Sequence, residues 1–233
     1  MTSTRIDVHA RSNSNLGVWA RFAFALNASS QYIWVIDDDA IPGTRWLQNA
    51  LHTHLSTGGL VGSRGLRFRT TSSYTLYDEF GPNSPNPEAS EVDIVGHNWL
   101  FPREWLGAFW SVYSERFPGN LAGEDIHLSY AVQKVLGVGT FVPPHPIEDR
   151  SLWGEQPASE AEFGSDGAAI SIDPRSMKKF EDAYAHYMAL GFAPMCTRGG
   201  DYRPSASDQL AARLIAANPS LVQRFTKVLG LRK

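Results

Sequence analysis

The stretch Tyr32 to Trp46, YIWVIDDDAIPGTRW, constrains the fold more than any other part of the chain. Its first five residues are all aromatic or β-branched, which suits a buried strand. The run stops at Asp37, Asp38 and Asp39, and Pro42-Gly43 then forces a turn. Thr44 is the predicted cap of a helix over Arg45 to Leu55. Strand, acidic turn and helix in that order predict an α/β sheet, whose ligand crevice opens at the carboxyl ends of its strands. Three adjacent carboxylates repel one another, and a hard divalent cation with oxygen ligands offsets that repulsion. A solvated acidic turn with no ligand is the competing reading.

A chain of 233 residues can bury a substantial core and suits one α/β domain better than two. The formal charge of -3 gives no electrostatic case for nucleic acid as a partner. Cys196 is the only cysteine, which excludes an intrachain disulfide and a cysteine-based zinc site. No apolar run approaches the roughly 18 residues of a membrane span, and the N-terminus has no signal-peptide core. Together these imply no integral membrane segment and a cytoplasmic location.

Along the chain, Arg5 to Ala10 is a predicted short strand and Gly17 to Ala28 a predicted helix, with Val18, Phe22 and Leu26 on one face. Arg21 lies in its first turns, where a guanidinium beside a helix N-terminus suits an anion such as a diphosphate. A solvated arginine beside a core-facing helix explains it equally well. Gly58-Gly59 ends the helix that follows the acidic turn, and Leu60 starts another strand. Arg64 to Phe80 reads as a polar strand pair or a wall for phosphate or sugar, and Gly81 to Ser90 as a surface loop.

Glu91 to Val95 alternates as a half-buried strand that Gly96-His97-Asn98-Trp99 interrupts, and Pro102 opens a helix. An aromatic turn carrying His97, Asn98 and Trp99 is a candidate sugar-binding surface. Glu124 and Asp125 sit at the start of an amphipathic helix that Gly137 ends, where the helix dipole alone would account for them. His145 is fixed among the prolines of Val142 to Pro146. Glu148 to Gly167 reads as a long polar loop, with Arg150 and Trp153 as its best ligand candidates. Helices are predicted over Pro174 to Leu190, Ser207 to Ala217 and Ser220 to Leu229.

Asn15 and Gly17 before a helix containing Arg21, then VIDDDAIPGTRWL, VDIVGHNWLFPREWL, AGEDI and VPPHP, resemble in order a GT-A-fold glycosyltransferase of the family 2 type. The resemblance covers residues 6 to 153. It implies a mixed, Rossmann-like sheet flanked by helices, with a transferase core over residues 1–165 and a C-terminal helical extension over 166–233. It also implies a chain that begins after the strand, helix and strand with which family members start. The implied reaction moves a sugar from a nucleoside-diphosphate sugar donor to a saccharide or other hydroxyl acceptor, with inversion, using Mn2+ or Mg2+. Asp39 and His145 would hold the metal. Asp37 and Asp38, with Arg21, Asn15, His97, Asn98 and Trp99, would line the donor site. Asp125 would be the base, with Glu124 beside it.

Two other classes stay open. A haloacid-dehalogenase-like phosphohydrolase would use Asp37 as nucleophile, but no lysine lies between Met1 and Gln133 to complete its order of residues. A catalytically silent sugar- or partner-binding remnant is the third reading.

Overall fold

The computed structural model describes residues 8–119, 122–156 and 174–198. Tyr32–Ile36 forms the first strand, β1, as its residue types require. Only one face is buried: Ile33 and Val35 point into the core, while Trp34 and Ile36 remain 38% and 42% exposed. β1 is thus a strand with one buried face, and it ends the sheet among the described residues with β5 as its neighbour.

Among the described residues five more strands join it in a mixed, open sheet: β2 (Leu60–Phe68), β3 (Tyr77–Phe80), β4 (Ser90–Val92), β5 (Ile94–Pro102) and β6 (Thr140–Val142). Their order is β1-β5-β2-β6-β4, with β3 paired to the far part of β2. Only β2 and β6 run parallel, and the other pairs are antiparallel. Among the described residues five α-helices flank the sheet: α1 (Ala20–Ala25), α2 (Trp46–Thr57), α3 (Leu106–Ser111), α4 (Glu124–Ala131) and α5 (Pro174–Ala189). Among the described residues no helix is long and apolar enough to cross a membrane.

The helix ends follow local chemistry. Gly58 closes α2 at φ 71°, and Gly137 closes the π-turn that continues α4 at φ 64°, left-handed positions that glycine takes without a Cβ clash. Thr44 is not the cap of α2: Arg45 holds that position and no side chain bonds the first turn. The predicted Gly17 to Ala28 helix shortens to α1, flanked by turns.

One core cluster packs α1, α3 and α4 on the sheet through Phe22, Trp99, Phe101, Phe109 and Leu128. A second joins Phe68, Ile126 and Tyr130 to Ala183, Tyr184 and Tyr187 of α5. The described part of the predicted C-terminal extension is thus packed into the core. The helices predicted over Ser207 to Ala217 and Ser220 to Leu229 lie outside the described residues. So does most of the strand predicted over Arg5 to Ala10, and Val8 to Ala10 are not in a strand.

The largest departure from the sequence reading is β5, which runs unbroken from Ile94 to Pro102 where a strand and then an aromatic turn were expected, while the helix expected from Pro102 follows as the helical turn Arg103–Trp105 and α3. The register explains the false break. Gly62 pairs with Trp99 but Arg64 pairs with Gly96, so β5 carries one extra residue against β2. His97, at φ 67°, sits in that bulge. A bulge breaks the alternation a strand otherwise shows and re-aims the side chains beside it.

Candidate functional site

The acidic turn stands at the carboxyl end of β1. The Ala40 N–H donates to the Asp37 carbonyl at 3.2 Å and closes the turn, while the Asp37 N–H donates to the His97 carbonyl at 3.0 Å. The bulge in β5 thereby fixes where the acidic turn begins. Asp37 meets the Arg21 guanidinium as an ion pair. Asp38 and the half-buried Asp39 make no side-chain hydrogen bond or ion pair among the described residues.

Arg21 is a clasp between two parts of the chain. Besides Asp37 it donates from Nη2 to Glu124 Oε1 at 2.7 Å, and its Nε donates to the Val18 carbonyl at 3.0 Å. Its guanidinium carbon lies 4.9 Å from the Trp99 ring centre, a cation–π placement. Arg21 therefore joins the turn after β1 to the N-terminus of α4, and two carboxylates already balance its charge. It is not the uncommitted anion site the sequence suggested.

Glu124 and Asp125 occupy the first turn of α4, which starts after Gly123 at φ 94°. Burial and the neighbouring Asp125 charge push Glu124 up to about 7, against the pull of Arg21. Burial also raises Asp125, although its Oδ1 accepts the Ile126 N–H at 2.7 Å and the charges of Arg21 and His97 favour its ionised form. The two neighbours have separate surroundings: Glu124 holds Arg21, whereas Asp125 lines a cavity of about 240 Å3.

His97 lines the same cavity. Its Nδ1 lies 3.3 Å from Glu155 Oε2, and its Nε2 lies 3.3 Å from Arg64 Nη1. Burial alone would raise Glu155, but the hydrogen bond and charge of His97, with Arg64 and His145, bring it below its ordinary value. Arg64 also donates from Nε to Glu79 Oε1 at 2.7 Å, so two basic side chains, His97 and Arg64, lie in a row between two carboxylates.

Several predicted site residues do other work. Asn98 is buried: it donates to the Gly154 carbonyl at 2.7 Å and accepts from Trp34 Nε1 at 3.3 Å, which leaves its amide occupied. Trp99 is core, with Nε1 donating to the Val95 carbonyl at 2.9 Å, and it reaches the site only as the ring under Arg21. His145 is fully buried, its Nδ1 bonded to the Pro143 carbonyl at 2.8 Å and its Nε2 accepting the Gly154 N–H at 3.1 Å. Burial brings it down to about 4, so it is a neutral ring with both nitrogens in use and does not fit a metal ligand. Asn15 is exposed and accepts the Gly17 N–H at 2.8 Å in a local turn. Trp153 is buried rather than presented on a lid, its Nε1 donating to the Pro146 carbonyl at 2.7 Å, and Arg150 stacks over its ring.

Sequence reasoning marked Arg64 to Phe80 as a possible wall without singling out Tyr74, Tyr77 or Glu79, and it missed Glu155 and the place of Phe180 beside them. The alternation Arg64, Leu66, Phe68 against Tyr77 and Glu79 could have shown that Arg64 and Glu79 share one face of a hairpin, Glu79 lying opposite Leu66 and diagonal to Arg64. Nothing local marks Glu155.

Among the described residues no group of three or more His, Cys, Asp or Glu side chains converges to hold a metal. No protein-family model matches the chain, and no curated protein matches it.

Proposed function

We propose that this chain is a GT-A-type glycosyltransferase that moves a sugar from a nucleoside-diphosphate sugar to an acceptor hydroxyl with inversion. The observation that carries the reading is the Arg21 clasp, which brings the acidic turn and the second acidic motif to one place. The mixed α/β sheet and the order of the motifs agree with it.

Asp125 is the base. As the acceptor oxygen bonds the anomeric carbon, the bond from that carbon to the diphosphate oxygen breaks with its electron pair, and the acceptor proton passes to Asp125. Burial raises this carboxylate, which makes it a better proton acceptor than one in water. Glu124 holds Arg21 and has no part in proton transfer. Asp39, half-buried and without a protein partner among the described residues, suits one oxygen ligand of Mn2+ or Mg2+, with donor phosphates supplying others. Such a cation, when bound, neutralises the charge that develops on the leaving diphosphate. His145 is not part of that ligand set.

Calorimetry with a panel of nucleoside-diphosphate sugars, with and without Mn2+, tests the reading. Asp39→Asn is expected to lose the metal-dependent part of donor binding. Asp125→Asn is expected to keep donor binding and lose transfer, and loss of donor binding in that variant removes Asp125 from the role of base. If the wild-type protein binds none of the nucleotide sugars, the transferase reading falls. A binding protein without turnover is the second reading. It is favoured by Arg21, whose charge is spent on Asp37 and Glu124, and it predicts donor binding with no transfer to any acceptor.

A further inference from the structure

The cavity beside Asp125 lies between β2, β3, β5 and α5 and has two kinds of lining. One is aromatic: Tyr74 is only 9% exposed, stacks on Phe180 with ring centres 5.7 Å apart, and meets Tyr77 edge-on at 6.2 Å. The other is polar and charge-balanced, because Arg64 is bonded to Glu79 at 2.7 Å and His97 lies 3.3 Å from Glu155. An occupant therefore meets aromatic side chains, closely spaced donors and acceptors, and, apart from Asp125, charges that are already paired.

A pyranose matches this lining. Its C–H faces are apolar and pack on aromatic rings, and its edge carries hydroxyls that both donate and accept. A lipid chain matches poorly, since it would cover the Arg64, Glu79 and His97 groups without bonding them. An anionic acceptor would face Glu79 and Asp125 with no cation left over. Size limits the occupant further: about 240 Å3 falls below the roughly 300–1,000 Å3 of pockets for drug-sized ligands, which leaves space for one ring.

We infer that this cavity binds one pyranose ring of a neutral saccharide and, resting here on the glycosyl-transfer reading, that this ring is the acceptor terminus whose hydroxyl meets Asp125.

Saturation-transfer NMR on the whole chain without donor tests the first half. The probes are methyl glycosides of neutral hexoses and N-acetylhexosamines, glucuronate, and 1-octanol. At least one neutral glycoside is expected to bind, with glucuronate about tenfold weaker. Phe180→Ala and Tyr77→Ala are each expected to weaken the glycoside about fivefold or more. Glu79→Gln leaves Arg64 with less counter-charge and is expected to strengthen glucuronate, a gain that mere misfolding does not produce. A preference for glucuronate or octanol in the wild type overturns the inference, as does glycoside binding that all three variants leave unchanged. Glycoside binding without any nucleotide-sugar binding keeps the cavity assignment and removes the transferase reading. Transfer to a lipid or protein acceptor with no glycoside binding does the reverse.

Discussion

Replacing Arg21 with methionine keeps the apolar stem of the side chain and removes its charge, leaving Asp37 and Glu124 without their shared cation. Removing one partner of a buried ion pair costs about 3–5 kcal/mol because the other charge stays buried. The Arg21 and Glu124 side chains are 26% and 12% exposed, so the lower end, about 3 kcal/mol, is the expectation at pH 8. The cost must depend on pH. Glu124 is raised from its ordinary 4.5 to about 7, so its contribution to stability is complete below pH 4.5 and is lost as pH rises through 7. At pH 6 most Glu124 is protonated, and losing Arg21 is expected to cost only about 1 kcal/mol, chiefly through Asp37 and the Trp99 ring. Thermal melts of the wild type, Arg21→Met, Glu124→Gln and the double variant at both pH values form the cycle. A loss of about 3 kcal/mol corresponds to roughly 6–12 °C for a chain of this size. Equal losses at pH 6 and pH 8, or single-variant losses at pH 8 that add within about 0.5 kcal/mol, would refute the clasp.

Two of the buried histidines, His127 and His145, predict an acid effect of opposite sign. Burial brings His127 and His145 each down to about 4, so their contribution is complete above their ordinary 6.5 and is lost as pH falls through 4. Denaturant titrations are expected to show His145→Gln losing less stability than the wild type between pH 6.5 and 4.5, and parallel curves would argue against a neutral His145. Gly154 joins both halves of the site, accepting from Asn98 and donating to His145, and a Cβ there would lie 2.2 Å from Ser63 Cβ. Gly154→Ala is expected to cost about 1–3 kcal/mol by urea unfolding, and a cost near zero would mean that the β2 backbone yields easily.

What could be read from sequence was local. Tyr32 to Ile36 formed a strand because five such residues have few alternatives, and Gly58 and Gly137 ended helices because each takes a left-handed position. The acidic pair at the start of α4 followed from one amphipathic period and a glycine. The failures cluster at the bulge. Gly96 to Trp99 does interrupt the alternation of β5, but as one extra residue within a strand rather than as a turn. Whether Asn98 faces a ligand or the core changes with that single residue, which no pattern in the chain specifies. Arg21 with Glu124 and His97 with Glu155 are contacts between distant segments, set by how α1, α4 and the residues after β6 pack on the sheet.

The separation of Glu124 from Asp125 is the step that gives the site a direction. Adjacent residues on a helix project about 100° apart, so a pair at the head of α4 cannot share one environment. Two buried carboxylates side by side also resist being ionised together, and Asp125 is one of the causes that raise Glu124. Arg21 lowers this conflict by holding Glu124, and the charge of His97 favours an ionised Asp125 facing the cavity. At pH 6 Glu124 is already mostly neutral, and a neutral Glu124 does not oppose charge on Asp125. Arg21 therefore acts on the cavity mainly through position, by fixing the acidic turn and α4 relative to each other. In Arg21→Met at pH 6, donor binding at the acidic turn is accordingly expected to fall further than saccharide binding beside Asp125. Equal losses of both would mean that the clasp serves the fold as a whole rather than the alignment of two half-sites.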